Sequence, residues 1–484
     1  MLTNRGLTVE EVNNLLNPTK KMVESISHYN VEKGIDMYLN SIKNNELIAT
    51  LVDVDADGYC SSSIVYQVTT DEFGYENIVY ISNKYTGDWF KIPREIFDLL
   101  VESQKEKINI EELYQFITSE SDKSYFDEIV KRLEFIGLLH NSYEFKINRS
   151  QIPKIVISLT NYCNLNCDYC CVDSSKESQS YLSLEEIKDM LNKIVKFNPK
   201  KIVISGGEPM SRVDFFDILK YLTSIYSGKI QLATNATYIN ESNVELLAKY
   251  IHAFDISLDG YDEESCSSIR GKNVFYKVME SIKLIQDLGC KNISVSMVMG
   301  KNNESQVDKF NRFCKSLNVR PIVRGFTRMG RGDINASKYL NNINDIFYSN
   351  YKDKRSLSSF NMTSTGITCR AGESQLFVNY DGNIYPCPLL QEEKYIICNM
   401  KNLEDKDIAD ILNCNYDVLE EVDKLRTVNY ENCKNCKYAL FCNNCLSIMD
   451  KMNLNESTFK HNCENMKQLF KLNENLLSTD GYHA

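Results

Sequence analysis

The run Ile155-Val-Ile-Ser-Leu-Thr-Asn-Tyr-Cys163-Asn-Leu-Asn-Cys167-Asp-Tyr-Cys170 joins an apolar, β-branched segment to three cysteines within eight residues. Soft thiolates suit iron–sulfur clusters, and three of them can hold three irons of a 4Fe–4S cube. The fourth iron is then open to a small chelating molecule, to which it can pass one electron. The alternative is a zinc knuckle or chance clustering, but zinc sites usually need four ligands in paired C-x2-C units.

The segment from residue 155 to residue 326 alternates short apolar runs with helical patterns. Strands are predicted at 155–160, 201–205, 230–235, 253–258, 292–299 and 320–326, and helices at 184–197, 213–226, 241–250, 274–289 and 304–318. Apolar residues at spacings of three and four, as in Leu184, Ile187, Met190 and Leu191, mark one helix face. Strands that alternate with helices predict right-handed βαβ units and a parallel sheet. We therefore predict an α/β fold with a partial (βα)6 TIM barrel, whose chemistry lies at the carboxyl ends of the strands.

The C-x3-C-x2-C spacing, with Tyr169 before the last cysteine, resembles the radical S-adenosylmethionine (SAM) family. Gly206-Gly207-Glu208-Pro209, directly after an apolar run, fits the same family. Its glycines let the backbone approach closely, and its proline stiffens the turn. The resemblance implies that Cys163, Cys167 and Cys170 are the catalytic cluster ligands. It also implies that SAM is bound by Tyr169, Gly206, Gly207, Glu208, Pro209, Asn235, Ser257 and Arg270. For Arg270, helix capping or a surface ion pair is the alternative.

A second set of cysteines lies between residues 369 and 463. The run from 376 to 387 predicts a hairpin with Asp381-Gly382 as its turn. This pattern resembles the SPASM extension, which implies two auxiliary 4Fe–4S clusters. The resemblance implies that the auxiliary cluster nearer to the radical SAM core is held by Cys369, Cys387 and Cys445. It implies that the farther cluster is held by Cys433, Cys436, Cys442 and Cys463.

The SPASM resemblance has one departure and one gap. Family members usually have three residues between the last two cysteines of the central block, whereas two separate Cys442 and Cys445 here. The nearer cluster also lacks a fourth ligand, which Cys398, Cys414 or a substrate thiolate could supply. Two zinc sites are the alternative.

The pattern of residues 76–148 predicts two strands followed by helices and a last strand. The strands are at 77–82, 89–92 and 142–147, and the helices at 93–102, 110–118 and 126–137. This arrangement resembles the winged-helix peptide-recognition element found on enzymes that modify ribosomally made peptides. The resemblance implies that an extended leader peptide adds to a sheet edge. A generic helical spacer is the alternative.

The run from 48 to 62, with Asp53, Asp55, Asp57 and Ser62, weakly resembles the first metal motif of DHH-family phosphoesterases. The chain lacks the Asp-His-His motif of that family, and so short a segment cannot house a two-metal site with its substrate clamp. We interpret this segment as a structural or interaction remnant.

The predicted domain order follows from these motifs. It comprises an N-terminal segment with the DHH-like fragment (1–75), the winged-helix element (76–150), the radical SAM core (151–335), a linker (336–368), the SPASM domain (369–470) and a tail (471–484).

Composition restricts the compartment and the partners. The chain has 484 residues, 17 cysteines, 43% hydrophobic residues and a formal net charge of −11. A chain of this size is not a small secreted disulfide scaffold, and it shows neither a signal peptide nor an apolar run long enough for a membrane. We therefore expect a cytoplasmic protein with metal-bound cysteines and no membrane partner. The negative charge argues against a general nucleic-acid binder.

The motifs together predict a radical SAM oxidoreductase that matures a ribosomally synthesised, cysteine-rich precursor peptide with a leader. The predicted reaction is carbon–sulfur thioether formation, of the sactipeptide or ranthipeptide type, with a flavodoxin or ferredoxin as electron donor. One alternative is a carbon–carbon or carbon–oxygen crosslink, or oxidation of a protein side chain as in sulfatase-maturing enzymes. An alternative of another class is a metal-dependent phosphoesterase or binding module built on the Asp53–Ser62 run.

Overall fold

A computed structural model describes residues 64–69, 78–83, 89–106, 108, 110–135, 150–177, 182–348, 369–433, 436, 438–439, 442 and 445–471. The aspartate-rich run at 53–62, the predicted strand at 142–147 and the predicted tail beyond 471 lie outside these residues, as does the predicted linker from 349 onward. Among the described helices, none is both long and apolar enough to cross a bilayer.

The first described unit is a small antiparallel sheet followed by three helices. Its elements are β1 (Ile64–Thr69), β2 (Ile78–Asn83), β3 (Trp89–Pro93), α1 (Arg94–Lys105), α2 (Ile110–Tyr114) and α3 (Glu120–Phe135). The strand order is β1-β2-β3, so the sheet includes a strand that lies before position 75. Its core is formed by buried side chains from two strands and two helices, among them Val79, Phe90, Phe97 and Ile129.

The second unit is the partial barrel that the alternating pattern predicts. Its strands are β4 (Lys154–Ser158), β5 (Lys201–Ser205), β6 (Lys229–Thr234), β7 (Ala253–Ser257), β8 (Ile293–Met299) and β9 (Arg320–Gly325), parallel and paired in that order. The helices are α4 (Leu184–Lys196), α5 (Phe215–Ile225), α6 (Val244–Tyr250), α7 (Glu263–Arg270), α8 (Val274–Asp287) and α9 (Val307–Ser316). The sequence did not predict α7, because few apolar residues mark its buried face.

Helix α4 illustrates how the local sequence builds the barrel. Ser183 and Glu186 form a capping box, in which each side chain accepts a hydrogen bond from the other residue's backbone N–H. Ile187, Met190, Leu191 and Ile194 are buried against the strands. Buried residues of the helices between successive strands form one core with the sheet, and the carboxyl ends of parallel strands meet at one edge.

The third unit is joined to the barrel through the main sheet. After two short helices, α10 (Arg331–Ile334) and α11 (Ala336–Tyr339), the chain forms β10 (Gln375–Val378), β11 (Asn383–Tyr385) and β12 (Cys398–Asn399). The predicted hairpin is present, since β10 and β11 are antiparallel and Gly382 has a φ of +86°. The sequence did not predict that β10 pairs with β4 in parallel, which extends the barrel sheet to nine strands.

Four described helices complete the third unit, of which the last three contribute to a second apolar core, whereas the first packs against the barrel core. They are α12 (Asp405–Leu412), α13 (Asp417–Asp423), α14 (Leu446–Met452) and α15 (Glu456–Lys471). Trp89 of β3 is 3% exposed and belongs to this core, together with Phe377 and Tyr385 of the hairpin. The N-terminal unit therefore contacts the cysteine-rich unit directly.

Candidate functional site

The three cysteines of the opening motif lie on a loop that directly follows β4. Their side chains are partly buried, and the thiol of Cys163 lies within electrostatic reach of Cys167 and Cys170. Burial raises the pKa of Cys163 to about 11, so positive charge must arrive before the thiol ionises readily. Iron supplies such charge, and the donor set therefore fits a metal cluster.

Within the described residues, no three or more His, Cys, Asp or Glu side chains lie close enough to share one metal ion. A 4Fe–4S cube has a different requirement, because each thiolate binds its own iron and the ligands stand apart. The finding on a single metal ion therefore does not count against a cluster held by this loop.

Arg331 of α10 braces this loop, and sequence reasoning missed it. Its Nε donates to the carbonyl of Cys167 at 2.9 Å, and its Nη1 to the carboxylate of Asp173 at 2.8 Å. Its Nη2 donates to the carbonyl of Ser174 at 2.8 Å. One guanidinium thus ties both ends of the loop, a task suited to its planar fork of donors.

Gly330 brings the backbone after β9 against the same loop. Its φ is +52°, and a Cβ there would lie 2.6 Å from the carbonyl oxygens of Cys170 and Cys171. The adjacent backbone N–H of Arg331 donates to the Cys170 carbonyl at 3.0 Å. A glycine-arginine pair after the last barrel strand is the signal that could have identified this brace.

The Gly-Gly-Glu-Pro turn packs against the backbone that leads from β4 into the cysteine loop. The Gly207 N–H donates to the Thr160 carbonyl at 2.7 Å, and the Glu208 N–H to the Tyr162 carbonyl at 2.8 Å. A Cβ on Gly207 would lie 2.2 Å from the Tyr162 oxygen, and one on Gly206, whose φ is +143°, 2.6 Å from the Thr160 oxygen. Both glycines are therefore required by close backbone approach.

The Glu208 side chain is buried inside the protein. Its carboxylate is fully buried and accepts hydrogen bonds from Thr234 Oγ1 at 2.8 Å and from the backbone N–H groups of Asn235 and Met210 at 2.7 and 3.1 Å. Burial raises the pKa of this carboxyl to about 7. Glu208 and Pro209 are two of the predicted SAM contacts. In the structure both are buried, and their internal contacts hold the turn in place.

Replacing Glu208 by glutamine is expected to lower the free energy of unfolding by about 1–3 kcal/mol, the cost of one unsatisfied buried donor. Whichever way the amide turns, its NH2 group faces the backbone N–H of either Asn235 or Met210. Urea unfolding measures the loss. Glu245→Gln on the exposed face of α6 is the matched control, and equal stability of both variants would contradict the proposed network.

Asn235 links the end of β6 to the cysteine loop. It is 5% exposed, and its Nδ2 donates to Asn164 Oδ1 at 2.9 Å and lies 3.9 Å from the Cys163 sulfur. Ser257, the last residue of β7, lies at the same edge and is partly exposed. The structure therefore brings these two predicted SAM contacts to the same mouth of the barrel.

Tyr169 and Arg270 form a buried network around Asp259. The Tyr169 hydroxyl donates to Asp259, and Arg270 contacts Asp259 Oδ2 through Nε at 2.5 Å and the Tyr169 oxygen through Nη2 at 2.6 Å. Asp259 also accepts from the Val298 N–H at 2.6 Å and has a φ of +62°. Both predicted SAM contacts are thus held by internal partners, and sequence reasoning missed Asp259 as the residue that positions them.

The C-terminal cysteines fall into two groups. The thiols of Cys369, Cys387 and Cys445 lie within electrostatic reach of one another, and burial raises the pKa of Cys387 to about 12. A separate group comprises Cys433, Cys436 and Cys463. Both groups and Cys442 line the second apolar core, whereas Cys398 packs against the barrel core beside Asp407. This placement argues against Cys398 as the missing fourth ligand.

Comparison with known proteins gives two domain matches. Residues 157–314 match the radical SAM superfamily, and residues 369–437 match the iron–sulfur cluster-binding domain SPASM. Residues 157–314 are thus a radical SAM core with its partial barrel, and residues 369–437 a SPASM domain. SAM and 4Fe–4S clusters are the cofactors that these domains imply, and the two cysteine groups and the loop after β4 have the donor chemistry for them.

Curated relatives match over part of their length. The GTP 3′,8-cyclase of Mannheimia succiniciproducens is 31% identical over 179 residues, 36% of this chain and 52% of that protein. The mycofactocin maturase MftC of Mycolicibacterium smegmatis is 26% identical over 266 residues, 50% of this chain and 66% of that protein. The chain thus spans between half and two thirds of the length of these two relatives.

Solved structures that align with this chain include native anSMEcpe with bound AdoMet and Cp18Cys peptide, at 18% identity and a TM-score of 0.47. That alignment covers 66% of this chain and 96% of the other. Streptococcus suis SuiB bound to precursor peptide SuiA aligns at 18% identity and a TM-score of 0.49, over 77% of this chain and 93% of the other.

Proposed function

We propose that this protein is a radical SAM/SPASM maturase that forms carbon–sulfur thioether crosslinks in a ribosomally synthesised, cysteine-rich peptide. The observation that carries the proposal is the placement of two cysteine sites at opposite ends of one strand. The motif cysteines follow the last residue of β4, and Lys154, its first residue, lies within electrostatic reach of Cys369 and Cys387. A five-residue strand spans about 15 Å, at roughly 3.3 Å per residue.

The cofactors define what the protein residues must do. When bound at Cys163, Cys167 and Cys170, the cluster and SAM supply a one-electron cleavage whose radical product can take a hydrogen atom from a C–H bond. Arg331 and Gly330 hold the cysteine loop, and the glycine turn presents backbone to the cofactor. Asp259 fixes Tyr169 and Arg270 at the loop wall. This chain's contribution is thus orientation and exclusion of water.

The auxiliary cysteines suit the second half of a thioether reaction. The carbon loses a hydrogen atom, the peptide thiol loses a proton, and one electron must leave the barrel as the C–S bond forms. The cysteines of the nearer auxiliary group stand at the far end of β4, where an electron acceptor would be held. A flavodoxin or ferredoxin would exchange electrons with the protein.

The deciding experiment uses the peptide encoded by a short cysteine-rich reading frame beside the gene. Incubation with reduced enzyme and SAM should remove two mass units per crosslink and hide one thiol from alkylation. A loss of two mass units with the thiol count unchanged would favour a carbon–carbon or carbon–oxygen crosslink. Unchanged mass in the presence of 5′-deoxyadenosine formation would refute peptide maturation of this substrate.

We further propose that residues 76–148 bind the leader while the barrel mouth receives the core. Among the described residues this unit is a three-stranded sheet with β1 and β3 at its edges, followed by helices, and such a sheet suits strand addition. Tethering the core to a bound leader raises its effective concentration near the radical without new contacts.

A leaderless core peptide is therefore expected to be modified at least about tenfold more slowly than the full precursor, by the effective-concentration argument. Quantitative mass spectrometry of both peptides with the full-length enzyme measures the ratio. Using the intact chain avoids deletion of Trp89, which fills the second apolar core. A precursor with a scrambled leader is the control, and equal rates for all three peptides would exclude the recognition role.

A further inference from the structure

Two adjacent buried residues, Arg426 and Thr427, join the two groups of auxiliary cysteines. They lie between the end of α13 and Cys433, and their exposed fractions are 8% and 4%. Each of them donates a hydrogen bond to a different cysteine-bearing segment. Because the Cα atoms of neighbouring residues are about 3.8 Å apart, the two contacts fix those segments relative to each other.

Arg426 holds the segment that carries Cys369. Its Nη1 donates to the Cys369 carbonyl at 2.7 Å, and its Nη2 donates to Glu373 Oε1 at 2.7 Å. Its Nε donates to Asp423 Oδ1, at the end of α13, at 2.6 Å. The guanidinium also lies within electrostatic reach of the Cys369 thiol. One planar fork of donors therefore ties both ends of the turn at 369–373 to α13.

The same turn is tied to a second cysteine of the nearer auxiliary site. The Gly372 N–H donates to the carbonyl of Pro386, which directly precedes Cys387, at 3.0 Å. The hydroxyl of Tyr416 donates to the Gly372 carbonyl at 2.6 Å. The guanidinium that holds the turn thus also helps to place Cys387, whose thiol lies within electrostatic reach of Cys369.

Thr427 holds the segment that carries Cys436 and Cys442, two cysteines of the farther auxiliary site. Its Oγ1 donates to the carbonyl of the buried Ala439 at 2.7 Å. The Ala439 N–H donates to the Cys436 carbonyl at 2.9 Å, and the Cys442 N–H donates to the Tyr438 carbonyl at 2.7 Å. The hydroxyl of Thr427 therefore fixes the turn between these two cysteines.

The two auxiliary sites also have a covalent connection. Cys442 belongs to the farther site and Cys445 to the nearer one, and they are three positions apart in the chain. The contacts of Arg426 and Thr427 add a second connection, so neither segment can turn about a single link. Ordering one segment therefore lowers the conformational entropy that the other still has to lose when it binds its own cluster.

We propose that Arg426 and Thr427 are positioning residues that couple the two auxiliary sites, so that a cluster in one site stabilises the cluster in the other. The inference concerns cluster binding, and it holds whichever crosslink the enzyme forms. Loss of either contact leaves Cys442 and Cys445 as the connection that does not depend on this pair.

The test measures loss of the nearer cluster to bathophenanthroline disulfonate in the reconstituted full-length chain, with the three motif cysteines replaced by alanine so that all iron is auxiliary. Removing the farther site with Cys433→Ala, Cys436→Ala and Cys463→Ala should speed this loss at least about fivefold, the lower end of typical coupling between sites. The electron paramagnetic resonance signal of the reduced nearer cluster, identified in the variant that holds it alone, follows the loss. Equal rates with and without the farther site would overturn the proposal.

Two variants assign the coupling to this pair. Thr427→Val removes the hydroxyl and keeps the shape, and Arg426→Met removes the donors, so each should bring the ratio of the two rates close to one. A variant that only destabilises the fold speeds the loss with and without the farther site alike and leaves the ratio unchanged. A ratio that both variants preserve would contradict the proposal.

One comparison does not require the chain that lacks the farther site. Because the Thr427 hydroxyl bonds to the farther segment, Thr427→Val in the chain with both sites should itself speed loss of the nearer cluster. Thr223→Val is the matched control, since it removes a hydroxyl that donates to the Leu219 carbonyl on the barrel helix α5. Equal rates of loss for these two variants would refute the coupling even if the chain without the farther site cannot be reconstituted.

Discussion

No 5′-deoxyadenosine is expected from a variant in which Cys163, Cys167 and Cys170 are all replaced by alanine, because the one-electron cleavage of SAM requires the cluster that these thiolates would hold. High-performance liquid chromatography after reduction with dithionite measures the product. The same variant should keep about eight irons per chain, at four for each auxiliary cube.

The matched control for the triple variant is Cys171→Ala, which removes a thiol from the same loop but outside the motif. It should retain wild-type SAM cleavage and iron content. Cleavage at the wild-type rate by the triple variant would show that the ligand assignment is wrong. Reconstituted protein with stoichiometric zinc and no iron would refute the auxiliary clusters.

Gly207→Ala is expected to abolish tight SAM binding and to lower the free energy of unfolding by about 3 kcal/mol, the upper range for overpacking. The new Cβ would lie 2.2 Å from the Tyr162 carbonyl oxygen. Because the obstacle is backbone rather than a flexible side chain, the turn itself must move away from the cysteine loop. Equilibrium dialysis with SAM and thermal unfolding measure the two effects.

Gly289→Ala is the control that distinguishes a steric clash of the new Cβ from backbone strain alone. Gly289 has a φ of +81°, and no atom lies within 4 Å of a Cβ placed there. This control should lose only about 1 kcal/mol of stability, the usual cost of a left-handed L-residue, and should bind SAM normally. Wild-type SAM affinity in Gly207→Ala would contradict the close approach of the turn and the loop.

The barrel could be predicted from sequence because its signal is local. β-branched runs such as residues 201–205 alternate with amphipathic helices such as α4, and the observed strand bounds differ from the predicted ones by at most two residues. The residue types of the candidate site could also be predicted from sequence. Three clustered cysteines suit an iron–sulfur cluster, and a double-glycine turn allows close approach of the backbone. Helix α7 was not predicted, because it buries Cys266 and Ile269 but has little apolar periodicity.

The direction of individual side chains could not be predicted in the same way. A motif identifies Glu208 and Arg270 as important, but only the folded structure shows that Glu208 accepts a hydrogen bond from Asn235 and that Arg270 donates to Asp259. Arg331 was missed for a related reason: its partners are backbone carbonyls more than 150 residues earlier. Such contacts leave no periodic trace in sequence.

The pairing of β10 with β4 has a consequence for how the chain folds. Without β10, strand β4 would be an unprotected edge that presents free N–H and C=O groups to other chains. Because β10 is synthesised more than 200 residues after β4, a nascent barrel carries this exposed edge until the cysteine-rich unit emerges. Non-local pairing of this kind is slow and prone to aggregation. The cysteine-rich unit that would receive the auxiliary clusters therefore also protects the barrel edge. The barrel edge stays exposed until that unit has been synthesised.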